Sequence, residues 1–199
     1  VSYTRTFGPG VLLEWENRNL CGEAKRLLFK NELWWKSRLS ILSLTQPHFK
    51  KFNQNLIWVL EYNHFSTVPY TSTSQNASVL IERKLSSRSE VYAGLRLQRL
   101  VSKSSELDRT YFLFKVPLQF KISSANNLLD PTSGTALNTK LTPSFQFVFP
   151  SFPYTIHLST LSHYCSFFDN RLTIALKGTL GNIIGASRHD IPTPDRLYG

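Results

Sequence analysis

Hydrophobic and polar residues alternate along most of this chain. Between Phe112 and Ile122 an apolar side chain occupies every second position, and Lys115 and Lys121 lie among the residues between them. The same alternation recurs over residues 11–16, 91–98 and 171–177. Successive side chains of a β-strand point to opposite faces, so each segment has one apolar face and one mostly polar face. This period of two predicts strands rather than helices.

Segments rich in Gly, Pro, Asn and Ser separate the alternating stretches and are typical of turns. They divide the chain into eleven predicted strands, at residues 1–7, 10–19, 25–37, 40–49, 55–67, 75–86, 90–103, 110–129, 135–149, 154–167 and 171–184. Many of these exceed the roughly five or six residues of an average soluble strand and reach the roughly 9–11 that cross a bilayer at a tilt.

Two all-β architectures fit this pattern. A soluble antiparallel sandwich or barrel buries the apolar faces inside, whereas an outer-membrane barrel turns them toward lipid and keeps polar side chains in its lumen. Strand length and an expected alternation of short turns with longer loops favour the membrane barrel. Aromatic residues at the predicted strand ends favour it too, as interfacial girdles. These aromatic residues are Trp34, Trp35, Phe49, Phe65, Tyr154 and Phe167.

Composition narrows the function classes. The 199 residues carry a formal net charge of +10, but the basic residues are dispersed rather than clustered, so a nucleic-acid partner is not expected. No apolar run approaches the roughly 20 residues of a transmembrane helix. The chain starts at Val1 without a basic segment before an apolar one, so a signal peptide is absent or removed and the sequence reads as a fragment. Cys21 and Cys165 lack CxxC or His-rich partners, so neither a zinc site nor a disulfide scaffold is expected.

No catalytic constellation is evident, and we expect no enzyme, metal or cofactor. His163 and Cys165 share a strand face, which predicts a strand-end pair facing the lumen or interface rather than metal ligands. Glu14 and Glu16 also share a face, where Arg or Lys of neighbouring strands would bind them. Neither a GxGxxG motif nor a P-loop is present. Dispersed cations, among them Arg5, Lys30, Arg96, Lys115 and Lys177, fit a water-filled lumen.

Four local motifs resemble the BamA/TamA superfamily of outer-membrane assembly factors, and TamA most closely. The segment 190–199, DIPTPDRLYG, resembles the start of the sixth extracellular loop, with Leu197 in place of an aromatic residue. Residues 129–134, LDPTSG, resemble the Asp-Pro-Thr-x-Gly periplasmic turn. Residues 46–49, QPHF, are similar to the end of the fourth strand, and residues 1–19 resemble the first two strands.

The resemblance implies an antiparallel up-and-down transmembrane β-barrel in the bacterial outer membrane. Residues 1–199 would form strands 1–11 of an expected sixteen, a partial barrel that ends in the stem of loop six. The POTRA domains and the C-terminal strands would lie outside this chain. The implied function is insertion or translocation of polypeptides through a lateral seam. A two-partner secretion transporter, the barrel of a patatin-like autotransporter and a passive porin remain alternatives.

The resemblance also implies partners and site residues. The partners are membrane lipid, lipopolysaccharide, unfolded outer-membrane proteins or passenger polypeptides, and the POTRA domains of the whole protein. The lateral-gate strand would be Val1, Ser2, Tyr3, Thr4, Arg5, Thr6 and Phe7. The loop-six stem would be Asp195, Arg196, Leu197, Tyr198 and Gly199, with Arg196 pairing with Glu14 or Glu61. The periplasmic turn motif would be Asp130, Pro131, Thr132 and Gly134.

Parity of the strands sets the expected topology. If the first strand rises from the periplasm, the connections after even strands are periplasmic and short. The connection at 68–75 and the chain end from Ala186 would then face outward, as longer loops.

Overall fold

The computed structural model describes residues 2–4, 8–67, 70–104, 108–127, 131–168, 172–187 and 190–196. These residues form strands and one short 3₁₀ turn, Thr193–Asp195. No helix within these ranges is long and apolar enough to span a membrane. The strands are β1 (Ser2–Thr4), β2 (Gly8–Leu20), β3 (Lys25–Trp34), β4 (Ser37–Gln46), β5 (Gln54–Ser66), β6 (Tyr70–Lys84), β7 (Ser89–Ser104), β8 (Asp108–Lys115), β9 (Leu118–Ser123), β10 (Gly134–Gln146), β11 (Phe152–Phe167) and β12 (Leu172–Ile184).

All strands belong to one antiparallel sheet in which chain neighbours are also sheet neighbours. The two short strands β8 and β9 share one place in it, because both pair with β7 on one side and β10 on the other. β1 and β12 form the two edges, and no described residue of one pairs with the other. The structure thus confirms the predicted all-β antiparallel meander, as an open sheet.

The eighth predicted strand, 110–129, is wrong as a single element. It is interrupted at Val116 and Pro117, and it ends at Ser123. Pro117 has no N–H to donate, and Pro143 of β10 lies across from the break. The Val116 amide donates to the Pro143 carbonyl at 2.9 Å, so the chain crosses the gap without leaving the sheet.

Loop lengths also differ from the prediction. β6 begins at Tyr70, inside the segment 68–75 that the sequence predicted as a loop. Among the connections whose residues are all described, parity assigns 35–36 and 147–151 to the outside. It assigns 21–24, 47–53 and 85–88 to the periplasm, and 47–53 is the longest of these five. Tyr70, Thr71 and Thr73 are of types that are enriched in strands, and pairing with β5 and β7 extends the strand over this segment.

The register sorts the side chains into two faces of unlike chemistry, because residues directly opposite each other in an antiparallel sheet point the same way. The polar face carries the charged residues Glu14, Glu16, Lys30, Glu32, Glu61, Glu82, Glu90, Arg96, Lys115, Lys121, Lys140 and Lys177. The apolar face has continuous rows such as Phe29, Leu42, Leu60, Ala77, Leu97, Phe114 and Phe145. Many of these apolar side chains are exposed, which is the reverse of a soluble sheet with a dry interior.

The predicted aromatic girdle is partly wrong. Trp34, Phe65 and Tyr154 lie on the polar face, since they are in register with Gly10, Ser72 and Ser144. Their positions near strand ends gave no information about the face. Phe167 is on the apolar face, and Trp35 is exposed in a connection.

Candidate functional site

One region of the polar face is apolar. Leu100 of β7, Tyr111 and Leu113 of β8, and Tyr154 of β11 form a single buried cluster there. Leu113 is 0% exposed, although it lies on the face that otherwise carries charged groups. If only water covered this face of the sheet, these apolar side chains would be exposed to solvent. Another part of the chain must therefore cover them.

Residues 190–196, which we call the stem segment, provide this cover. Ile191 belongs to the same buried cluster and is 4% exposed, and Pro192 is fully buried. The segment follows β12 and folds back over β7, β8 and β11. Burying a side chain of this size contributes about 1.5–3 kcal/mol, so Ile191 is a substantial anchor.

An ion pair lies beside the apolar contact. Lys115 Nζ is 2.6 Å from Asp195 Oδ2, and the Tyr154 hydroxyl donates to the same oxygen at 2.5 Å. Lys115 is 5% exposed, so its ammonium group is almost fully removed from solvent. Charge-assisted hydrogen bonds of this kind are short and about twice as strong as neutral ones. Removing either charge would leave the other buried and uncompensated.

Local hydrogen bonds shape the stem segment before it reaches the ion pair. The Ser187 hydroxyl donates to Asp190 Oδ2 at 2.5 Å, and Arg109 of β8 lies 3.6 Å from Asp190 Oδ1. The Asp195 amide donates to the Pro192 carbonyl at 2.9 Å and closes the 3₁₀ turn. This turn, with two prolines fixing φ, aims the Asp195 carboxylate at the sheet.

Asp195 is the charged stem residue that binds the sheet, whereas the sequence suggested Arg196. Arg196 Nε donates to the Ile191 carbonyl at 3.0 Å, within the stem segment, and not to Glu14 or Glu61. Glu61 instead accepts from Asn76 Nδ2 at 2.9 Å. The sequence missed Lys115 and Tyr154 as partners of Asp195, because their positions depend on how the stem folds. Leu197, Tyr198 and Gly199 lie outside the described residues.

The predicted gate strand lies at one edge of the described sheet. β1 has three residues, Ser2–Thr4, and it pairs with residues 8–10 of β2. Val1, Arg5, Thr6 and Phe7 lie outside the described residues. Two of the paired positions, Gly8 and Gly10, have no side chain for cross-strand contact. At these two positions β1 is therefore held through the backbone alone.

Pro9 has no N–H group, but this does not cost the pairing of β1 with β2 a hydrogen bond. Its carbonyl accepts from the Trp35 amide at 3.2 Å, so the backbone of Pro9 is directed at the β3 side of β2. The N–H and C=O of one residue serve the same neighbour in an antiparallel pair, so no donor toward β1 is lost. Position 10 requires glycine because a Cβ there would lie 2.1 Å from the Trp34 ring.

The turn motif has a structural explanation. Asn126 Oδ1 accepts from the amides of Thr132 and Ser133, at 3.0 and 3.1 Å. The hydroxyl of Ser166 donates to the Thr132 carbonyl at 2.6 Å, and Gly134 has a φ of +111° that favours glycine. Pro131 precedes these contacts, and Asp130 lies outside the described residues. The motif therefore ties β9, β10 and β11 together.

The other sequence candidates fall on opposite faces. Glu16 binds Arg26 of β3 at 2.5 Å, which confirms a basic partner on the adjacent strand. His163 and Cys165 lie on the apolar face, and His163 Nδ1 is 2.9 Å from the Thr135 hydroxyl. The described residues contain no cluster of His, Cys, Asp or Glu able to hold a metal ion.

The sheet, its two faces and its inward-folded stem can be compared with known proteins. Residues 19–198 match the Omp85 superfamily domain. The chain belongs to the Omp85 superfamily. The match to the BamA/TamA superfamily that the motifs predicted is thereby confirmed, and the polar face is the lumen side of an outer-membrane β-barrel. The localisation to the bacterial outer membrane is likewise confirmed.

A solved structure shows the same fold. It is described as BamA from Haemophilus ducreyi lacking POTRA domains 1–3, and it superposes with a TM-score of 0.80 at 16% sequence identity. The alignment covers 92% of this chain and 40% of that chain, so the Omp85 chain spans well under half the length of that relative. No curated protein sequence is significantly similar to this chain, residues 1–199.

Proposed function

We propose that this chain is the N-terminal part of an Omp85 barrel that inserts or translocates polypeptides at the outer membrane through a seam at β1. Membership of the superfamily and the BamA-like fold support the general class of function. POTRA domains and unfolded protein substrates are the corresponding partners of the whole protein. No ATP or cofactor is part of the proposal.

The observation that carries the proposal is the edge of the sheet at β1, where Ser2–Thr4 pair with β2 and no described strand pairs with them on the other side. In a closed barrel β1 would have to pair with a strand beyond this chain. A strand edge presents free N–H and C=O groups, which can template an incoming strand by β-augmentation. An incoming strand can therefore pair with β1 without breaking its bonds to β2.

Related functions make a different use of the same sheet. A two-partner secretion transporter would pass its substrate through the lumen, and a porin would pass small solutes there. A patatin-like autotransporter would use the barrel to hold a separate enzyme domain. The stem segment docked on the lumen side disfavours a wide passive pore, because it occupies part of the polar face.

Site-specific photocrosslinking in the complete protein tests the seam. A benzophenone side chain at Tyr3, on β1, should form adducts with a nascent outer-membrane protein during its assembly. The same side chain at Tyr62, in the middle of β5, is the matched control, since it replaces the same residue type on a strand paired on both sides. Adducts are expected from Tyr3 and not from Tyr62.

The alternatives predict other results. Adducts from lumen-facing positions such as Ser43, with none from Tyr3, would indicate passage through the lumen and contradict the seam. Equal adducts from Tyr3 and Tyr62 would show non-specific contact along the lipid face. Both results count against the proposal only if the variants assemble normally, which heat-modifiable migration on gels checks.

A further inference from the structure

The sheet lacks backbone bonds at one level, where β8 gives way to β9. Opposite residues in an antiparallel sheet form either a hydrogen-bonded pair, which exchanges two backbone bonds, or a pair without such bonds. Gly94 of β7 lies opposite Pro117, and its amide donates to the Pro117 carbonyl at 3.1 Å. Because Pro117 has no N–H to donate in return, this pair keeps one of its two bonds.

The other side of the same strand has a matching defect. Val116 lies opposite Pro143 of β10, and its amide donates to the Pro143 carbonyl at 2.9 Å. Pro143 has no N–H to donate to the Val116 carbonyl. Val116 and Pro117 are therefore each held by one backbone bond instead of two, on opposite sides of the strand. The strand is under-bonded to both of its neighbours at a single level.

This level lies inside the apolar band of the lipid face. The rows on either side of it on that face consist of Leu97, Phe114 and Phe145, and of Ala93, Leu118 and Leu141. In hydrocarbon no water replaces a missing backbone bond, so a defect at this depth is costly. Proline within a sheet is normally found on edge strands or at bulges. Here both prolines lie in interior strands, and the register on either side of them is the same.

Gly94 marks a bend at the same level. A Cβ at position 94 would lie 2.3 Å from the Val79 carbonyl oxygen, so β7 approaches the backbone of β6 closely there. Glycine inside a strand weakens it and is typical of tight bends in barrel walls. We call Gly94, Val116, Pro117 and Pro143 the break row.

The stem segment is docked on one side of the break row. Lys115, which binds Asp195, directly precedes Val116. The buried sheet residues that the stem covers lie on the same side of the row as Lys115, and they are Leu100, Tyr111, Leu113 and Tyr154. On the other side, β9 contacts the sheet itself, as where Gln119 Nε2 donates to Asn138 Oδ1 at 2.7 Å. The stem therefore fixes one half of this wall.

We propose that the break row is a hinge in the barrel wall and that the docked stem segment holds this hinge closed. While Asp195 binds Lys115 and Tyr154, the stem joins β8 to β11 across β10 and restrains β8. When the stem leaves, β8 and β9 bend against each other at the break row, where fewer backbone bonds resist local opening. The hinge couples the position of the stem to the shape of the lumen wall. It does not depend on the seam at β1, so the two proposals fail separately.

Hydrogen–deuterium exchange of the complete protein tests the hinge. The reporters are the amides of Gly94 and Val116, which donate the remaining bonds of the break row. Asp195→Asn, which weakens the docking of the stem, should raise the exchange rates of both amides by about tenfold or more. The amides of Leu42 and Leu60, on strands β4 and β5, are internal references and should not change.

A variant with a complete ladder is the decisive comparison. Pro117→Thr and Pro143→Val restore the two missing donors, with residue types that suit the lumen face and the lipid face. In this double variant, Asp195→Asn should change the exchange of Gly94 and Val116 by less than about twofold. If the double variant does not assemble, Pro117→Thr alone restores the bond to the Gly94 carbonyl and should protect the Gly94 amide more than the Val116 amide.

Lys177→Met is the matched control, because it removes a charge from the lumen face on a strand that the stem leaves exposed. It should leave both reporters unchanged. The proposal is overturned if Asp195→Asn leaves the reporters unchanged, or if it raises the exchange of Leu42 and Leu60 equally. It is also overturned if restoring the donors does not reduce the response. Normal heat-modifiable migration of each variant shows that the barrel has assembled.

Discussion

Lys115 shows how a residue of ordinary lumen chemistry becomes a specific contact. The alternating pattern places it on the polar face with other cations, where water would solvate it. The stem segment removes that water and supplies Asp195 at 2.6 Å, while Tyr154 binds the same oxygen. Lys177, also on the polar face, lies on the exposed strand β12. The two lysines differ because the stem segment covers Lys115, whereas Lys177 is exposed.

Replacing one member of the buried ion pair should destabilise the docked stem more than replacing both. Asp195→Asn leaves Lys115 buried without its counter-charge, a change that costs about 3–5 kcal/mol. The double variant Lys115→Met with Asp195→Leu should recover much of that loss, since no isolated charge remains. The measurement is the temperature at which the complete protein loses its folded migration on gels.

Lys177→Met is the control for this series, and it should leave the transition temperature unchanged. We expect Arg196→Ala to have a smaller effect than Asp195→Asn, because the hydrogen bond of Arg196 within the described residues stays inside the stem segment, from its Nε to the Ile191 carbonyl. An Asp195→Asn protein as heat-stable as the unaltered one would show that the ion pair does not hold the stem.

The stem segment contains the short 3₁₀ turn Thr193–Asp195 but no strand, and its position depends on an apolar anchor. Ile191 packs with Leu100 and Leu113 on the sheet. The anchor and the ion pair are neighbours, so the segment is held by two kinds of contact at once. A polar surface loop would make neither.

Shortening the anchor should release the stem segment. Ile191→Ala is expected to cost about 2–5 kcal/mol and Ile191→Val about 0.5–1.5 kcal/mol, from the buried methyl groups removed. Limited trypsin digestion of the complete protein should therefore cleave after Arg196 faster in Ile191→Ala, with Ile191→Val close to the unaltered protein. Equal cleavage of all three would mean that the anchor does not restrain the stem.

At the scale of the whole molecule, the two faces of the sheet differ in chemistry, and its two ends carry different connections. One face is charged and carries the stem segment, and the other is apolar and exposed. Among the fully described connections, the longest, 47–53, lies at the end assigned to the periplasm. Loop length therefore does not give the orientation, and parity of the strands within the family remains the argument for it.

Thiol labelling in intact cells would check the orientation. Cys21 is exposed in the turn after β2, at the end assigned to the periplasm. In a Cys165→Ser background, a membrane-impermeant maleimide should leave Cys21 unlabelled until the outer membrane is permeabilised. A cysteine at Trp35, in the connection at the other end and 81% exposed, should react in intact cells. The opposite pattern would invert the topology.

The sequence by itself determined the strands, their alternation and the chemistry of the two faces. These properties are local, because a period of two fixes which side chains share a face whatever the neighbouring strands are. Motifs such as Pro131–Gly134 and the stem carried the family resemblance for the same reason. The break at Pro117 was also visible as a residue without a donor, but the position of Pro143 across from it was not.

Only the tertiary structure decided which residues of distant segments meet. Lys115 and Asp195 are far apart in the chain, and nothing in either neighbourhood specifies the other. The burial of Leu100 and Leu113 on the charged face depends on register across several strands and on the return of the chain after β12. Contacts of this kind follow from the three-dimensional arrangement of covered and uncovered surfaces, which a one-dimensional pattern of polarity does not contain.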